Sequence, residues 1–120
     1  MKTIKTEVLI VGAGPAGLTA SALLARSGID TLTLTKYGTA DAPRAHITNQ
    51  RAVEVFRDLG MEQRVVERAP SPELMGKQVF ATSFAGQELS RMMAWGKGDT
   101  RISDYRAASP CAMTNIAQHT

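Results

Sequence analysis

Three glycines, Gly12, Gly14 and Gly17, stand in the spacing G-x-G-x-x-G directly after the apolar run Val8-Leu9-Ile10-Val11 and before a small-residue, apolar pattern over 18–24. Strand, tight turn and helix in that order form the opening of a βαβ unit that holds the diphosphate of a dinucleotide. Each residue type has a physical reason. Gly12 lets the backbone turn sharply off the strand, and Gly14, lacking a Cβ, lets a diphosphate approach the main chain. Gly17 lets the helix pack close to the strand. Pro15 suits an early helical position, where its missing N–H costs nothing. Ala13 and Ala16 complete the candidate loop. The helix N-terminus adds free N–H groups and a partial positive charge. A βα turn with no ligand uses similar residues; the placement between a strand pattern and a helix pattern is what favours dinucleotide binding.

A second set of residues would select the ligand. In nicotinamide and flavin dinucleotide folds an Asp or Glu at the end of the second strand accepts hydrogen bonds from the adenosine ribose. Here that strand ends at Leu34-Thr35-Lys36; Asp30 comes too early and Asp41 too late. Thr35 can offer a hydroxyl to the ribose, more weakly than a carboxylate would, and Lys36 either faces a phosphate or is a solvated charge. Arg44 follows Pro43, which stiffens the loop. Its guanidinium is placed to fork onto phosphate oxygens or to pair with Asp41. Arg51 either reaches the same region or pairs with Glu54 at the three-residue helical offset.

The elements that must position these residues follow from patterning. Residues 3–11 read as the first strand. A helix over 15–27 is closed by Gly28, and a buried strand follows over 29–35, parallel to the first by the crossover rule. A loop over 36–47 leads to a helix over 48–59, with Ala52, Val53, Phe56 and Leu59 at helical offsets and Gly60 closing it. A short helix over 61–68 ends before Pro70 and Pro72. Segments 77–84 and 87–92 flank Ala85-Gly86 as a hairpin. Residues 99–109 are ambiguous, with a strand near Ile102. Residues 113–120 read as the start of a helix with Thr114 as its N-cap. The fold class is therefore α/β, a Rossmann-like βαβ unit with a parallel sheet and a small hairpin excursion, in an incomplete domain.

Composition excludes several classes. At 120 residues the chain is at most one modest domain, and 43% hydrophobic with 21% charged residues reads as globular. The net charge of +3 is mild and its basic residues are scattered among acids, which argues against nucleic acid. One cysteine, Cys111, forbids an internal disulfide and suits a reducing, cytoplasmic setting. His46 and His119 have no metal-ligand spacing, so no metal is expected. Residues 8–25 carry no charge, but the glycines and Pro15 interrupt them and Leu, Ile and Val are too few for a membrane span. Glu7 before the apolar run argues against a secretory signal.

Beyond the glycine motif, Pro43-Arg44-Ala45-His46-Ile47-Thr48-Asn49-Gln50-Arg51, Val55-Phe56-Arg57-Asp58-Leu59-Gly60 and Ala108-Ser109-Pro110-Cys111 with Gln118 resemble, in the same order, the FAD-dependent aromatic-ring monooxygenases of the phenol hydroxylase family. The resemblance covers nearly the whole chain and corresponds to the N-terminal portion of a family whose members are several times longer. It implies that Gly12, Ala13, Gly14, Pro15, Ala16 and Gly17 hold the FAD diphosphate and that Arg44 contacts FAD. It further implies that Gln118 reaches the flavin from a following helix, and that Thr35 and Lys36 stand at the ribose where many relatives carry Glu-Arg. The family's reaction uses NADPH to reduce FAD, and reduced flavin takes up O₂ as a C4a-hydroperoxide that hydroxylates phenols or chlorophenols. No metal is implied, and no catalytic residue is singled out within this segment. Asp104, Tyr105 and Cys111 are expected to make structural contacts only. The segment alone is expected to hold FAD weakly or not at all and not to hydroxylate. Two other readings stay open: a nicotinamide-binding dehydrogenase or reductase, with Lys36 at a 2′-phosphate, and a non-catalytic remnant whose exposed strand edges favour homo-oligomers.

Overall fold

A computed structural model describes residues 3–38, 44–71, 74–94 and 102–118. Pro43, Asp41, Pro72, His119 and residues 99–101, all invoked above, lie outside the described residues. The chain divides into two units, residues 1–44 and 45–118, each taken by itself below.

In the first unit, β1 (Val8–Val11) and β2 (Thr31–Leu34) pair in parallel, from Val8 opposite Thr31 to Val11 opposite Leu34, with α1 (Pro15–Arg26) as the crossover. This is the βαβ opening expected from the glycine spacing, with shorter strands. Ahead of Val8 the chain is tied down by other means. The Thr6 hydroxyl donates to the Asp30 carbonyl at 3.0 Å, and the Glu7 carboxylate accepts from the Asp30 N–H at 2.9 Å. Gly28 closes α1 in the left-handed region, φ +77°, and its N–H returns to the Ala25 carbonyl at 3.0 Å. That is the reason glycine stands there. Among the described residues β1 pairs with β2 alone, and Leu9, Val11 and Leu34 are exposed, Val11 by 82%.

In the second unit, β3 (Ile47–Thr48) pairs antiparallel with β6 (Thr114–Asn115), and α2 (Gln50–Asp58) and α3 (Glu62–Arg68) follow β3. The helix expected from residue 48 begins at Gln50. Thr48 is committed to the ladder opposite Thr114, and the Asn49 side chain caps α2 by accepting from the Ala52 N–H at 2.9 Å. Gly60, φ +73°, ends α2 as expected. The hairpin β4 (Lys77–Ala81) and β5 (Glu88–Met93) forms, but with a wider turn than Ala85-Gly86 alone. The Thr82 and Gln87 backbones close it at 3.0 Å, and the Thr82 hydroxyl accepts from the Gln87 N–H at 3.0 Å.

Two expectations are corrected. The segment near Ile102 is a helix, α4 (Ile102–Ala108), not a strand. Thr114 does not cap a helix but lies in β6, because its backbone finds a partner in Thr48 far earlier in the chain. The core of this unit is Val53, Val65, Met75, Ala94 and Cys111, with Ser109 and Thr114 buried beside them.

Candidate functional site

At the end of β1 the backbone leaves the strand through Gly12 at φ +114°, a conformation an L side chain rarely adopts. The Gly12 N–H donates to the Leu34 carbonyl at 2.7 Å, which holds the turn against the end of β2. Gly14 is the N-cap of α1, extended at φ −77° and ψ 179°, with Pro15 starting the helix. No side chain caps this N-terminus, and no acid stands in its first turn. The first N–H groups of a helix have no acceptor within it, so those of Ala16 and Gly17 are left to an external one. The first helical bond comes from Leu18 to the Gly14 carbonyl at 2.9 Å.

The three glycines differ in what surrounds them. A Cβ on Gly12 or Gly14 would meet nothing within 4 Å, so both border open space. A Cβ on Gly17 would lie 1.9 Å from the Gly12 carbonyl oxygen, so helix and strand approach as closely as they do only because that carbon is missing. Bare backbone facing open space, an uncapped helix N-terminus and uncompensated positive dipole together make a receptor for an anion with several oxygens.

Beside this turn, at the end of β2, Thr35 is exposed and its hydroxyl donates to the Tyr37 carbonyl at 2.8 Å. The Lys36 ammonium hangs 5.2 Å from the centre of the Tyr37 ring, within cation–π range. Arg44 is exposed at the end of the first unit. Gln118 belongs to the second unit. It occupies a turn, not the helix expected to carry it, and its N–H donates to the Ala45 carbonyl at 3.1 Å. The structure thus brings Thr35, Lys36 and the glycine turn together in one unit.

Arg51 pairs with Glu54 at 2.6 Å, so of its two readings the helical pair is the one formed. The Ser109 hydroxyl donates to Glu54 at 2.7 Å. That bond first, and the Arg51 guanidinium second, hold the Glu54 carboxyl below the usual carboxylate range. His46 bonds through Nδ1 to the Asn115 side-chain oxygen at 3.1 Å, a structural contact.

Sequence reasoning missed one polar stripe. Gln50, Glu54 and Arg57 share a face of α2 at helical spacing and hold the 105–111 segment. The Gln50 amide donates to the Tyr105 and Cys111 carbonyls at 2.8 and 3.0 Å, and Arg57 reaches the Cys111 sulfur at 3.9 Å. Burial pushes the Cys111 thiol pKa up, a nearby Glu62 adds to this, and Arg57 partly opposes it. The stripe was visible in the spacing; its partners, half the chain away, were not. Tyr105 and Cys111 are thus held through their backbone carbonyls, and Cys111 through its sulfur as well. Among the described residues no group of three or more His, Cys, Asp or Glu is placed to hold a metal ion, and no helix is long and apolar enough to cross a membrane.

Parallel β1–β2, the glycine turn and the uncapped α1 define a nucleotide-binding α/β unit, and the chain belongs to the FAD binding domain family, whose model matches residues 5–120. That match decides between flavin and nicotinamide dinucleotide in favour of FAD. The chain is 48% identical to the 2,4-dichlorophenol 6-monooxygenase of Delftia acidovorans over 117 residues, 97% of this chain and 20% of that enzyme. It is 48% identical to the phenol 2-monooxygenase of Pseudomonas sp. (strain EST1001) over 116 residues, 96% of this chain and 19% of that enzyme. Among solved structures, the flavin-dependent monooxygenase PieE in complex with FAD and substrate superposes with a TM-score of 0.88 at 49% identity, covering 99% of this chain and 21% of PieE. Aklavinone-11 hydroxylase with FAD and aklavinone superposes with a TM-score of 0.78 at 26% identity, covering 99% of this chain and 22% of that one. The chain thus spans about one-fifth of the length of these relatives.

Proposed function

We propose that this chain is the diphosphate-binding part of a flavoprotein monooxygenase that hydroxylates phenols or chlorophenols with NADPH and O₂. The observation that carries the proposal is the turn at Gly12 to Gly17: open space in front of bare backbone, at a helix N-terminus that no side chain caps. The names of the relatives, a dichlorophenol and a phenol monooxygenase, support the substrate class. Bound FAD would supply electron transfer and oxygen activation, chemistry that amino-acid side chains lack.

The chain's own residues bind and orient. The N–H groups of Ala16 and Gly17 donate to diphosphate oxygens, and Gly12, Ala13, Gly14 and Pro15 form the wall those oxygens approach. Thr35 and Lys36 meet the adenosine ribose. Arg44 adds a guanidinium to the cofactor's phosphates, and Gln118 serves the flavin end. The lone, buried Cys111 is consistent with a reducing, cytoplasmic setting. The exposed edge of β1 favours homo-oligomers or pairing with further strands.

The test is a titration of the isotope-labelled chain with FAD, followed by the amide resonances of residues 12–14, 16 and 17. Binding is expected to be weak, with no hydroxylation of phenol. The amides of Ala16 and Gly17 should move with FAD and with ADP, and stay still with riboflavin, which has no diphosphate. A folded chain whose turn ignores FAD and ADP refutes the proposal. A tightly flavinated, active preparation refutes the expectation of weak binding.

A further inference from the structure

The residue that follows β2 is where a dinucleotide-binding unit meets the adenosine ribose, ordinarily with a carboxylate. The Gly12 N–H bond to Leu34, at 2.7 Å, fixes this strand end beside the glycine turn, and Leu34 opposite Val11 is the last paired residue. Thr35 is therefore the first residue free of the ladder. Its one hydroxyl hydrogen is committed to the Tyr37 carbonyl at 2.8 Å, which leaves Oγ1 only lone pairs to offer outward. Lys36 is next, its ammonium over the Tyr37 ring, and among the described residues it has no carboxylate partner. Among the described residues of this unit the acids are Glu7 and Asp30, at the opposite end of β1 and β2, where the Asp30 N–H donates to the Glu7 carboxylate at 2.9 Å.

Resting on the reading of the glycine turn as a diphosphate site, we propose that Thr35 and Lys36 make a ribose subsite with a neutral acceptor beside a cation. Such a subsite admits a ribose bearing a 2′-phosphate at least as well as a plain one. A carboxylate at position 35 would accept from both ribose hydroxyls through charged hydrogen bonds, about twice as strong as neutral ones. It would also repel a 2′-phosphate. Threonine gives up the first effect and removes the second, while Lys36 supplies attraction. The nucleotide selectivity of this turn is thus written at two neighbouring positions and not in the glycines.

The experiment titrates the labelled chain at low ionic strength with ADP-ribose and with 2′-phospho-ADP-ribose. The amides of residues 12–14, 16 and 17 report binding, and those of Thr35 and Lys36 report the ribose. The wild-type chain should bind the 2′-phosphorylated nucleotide with equal or up to about fivefold higher affinity. Thr35→Glu should invert the order, tightening ADP-ribose about tenfold and weakening its 2′-phosphate about tenfold. Lys36→Ala should weaken only the phosphorylated nucleotide, by about fivefold. Both side chains are exposed, and circular dichroism checks that each variant folds; Lys36→Ala stands as an independent test should Thr35→Glu not fold. A wild-type chain that strongly prefers ADP-ribose, or variants that leave the ratio unchanged, overturn the ribose assignment while FAD binding at the turn persists. A folded chain whose turn responds neither to FAD nor to either of the two ADP-riboses overturns the diphosphate reading, and this one with it.

Discussion

Replacing Gly17 with alanine adds a single carbon, and the structure says where it must go. The new Cβ would sit 1.9 Å from the Gly12 carbonyl oxygen and 3.0 Å from its carbon. Both are backbone atoms, so no side chain can swing aside. To restore an ordinary contact of 3.4 Å, α1 must retreat from the turn by about 1.5 Å. Overpacking of this kind costs about 3 kcal/mol at the upper end of its range. Alanine's better helix propensity returns about 1 kcal/mol. The balance, about 2 kcal/mol, lowers the folded-to-unfolded ratio about 30-fold and the melting temperature by about 10 °C. Thermal unfolding by circular dichroism measures this directly. Gly14→Ala is the matched control, because its Cβ would enter open space from a backbone any residue adopts. If Gly17→Ala melts together with Gly14→Ala and the wild-type chain, the close approach of helix and strand does not exist as described.

Gly14→Ala should keep its melting temperature yet bind ADP about tenfold more weakly, since the added methyl occupies space a diphosphate would use; calorimetric titration of the two chains decides this. Asn49→Ala removes the acceptor for the Ala52 N–H and should cost about 1 kcal/mol, read from chemical denaturation. Glu54 has its pKa lowered in the folded chain, so its contribution to stability is present above the ordinary carboxylate range and is lost as pH falls through the folded value. Ser109→Ala removes the largest cause of that shift. Melting curves between about pH 7 and pH 3 should therefore show a shallower acid loss than wild type, with the difference gone at the acid end.

The parts of this fold legible in the residues are those with local causes. Gly12, Gly28 and Gly60 carry positive φ angles that nothing but glycine adopts readily, so each marked a real corner. The parallel pairing of β1 and β2 followed from a strand–helix–strand order that admits little else. What failed had causes far along the chain. Thr114 looks like a helix cap until Thr48 supplies a ladder partner, and the same pairing shortens the helix that seemed to begin at Thr48. Ile102 suggested a strand through its β-branched side chain. Its neighbours form a helix that ends where Gln50 takes hold of the Tyr105 and Cys111 carbonyls. For the candidate site, the sharp turn at Gly12 and the close helix–strand approach at Gly17 were legible, whereas Gln118, expected on a helix, stands in a turn.

The hold of α2 on the 105–111 stretch has a consequence for how this protein can change over generations. A ladder of main-chain bonds is indifferent to most substitutions and comes apart only when the strand does. A joint hung on Gln50, Glu54 and Arg57 is different: each rivet is one codon, removable alone, with the helix beneath left standing. The grip on that stretch is therefore a graded quantity that point mutation can slacken or tighten in small steps, without redrawing the fold.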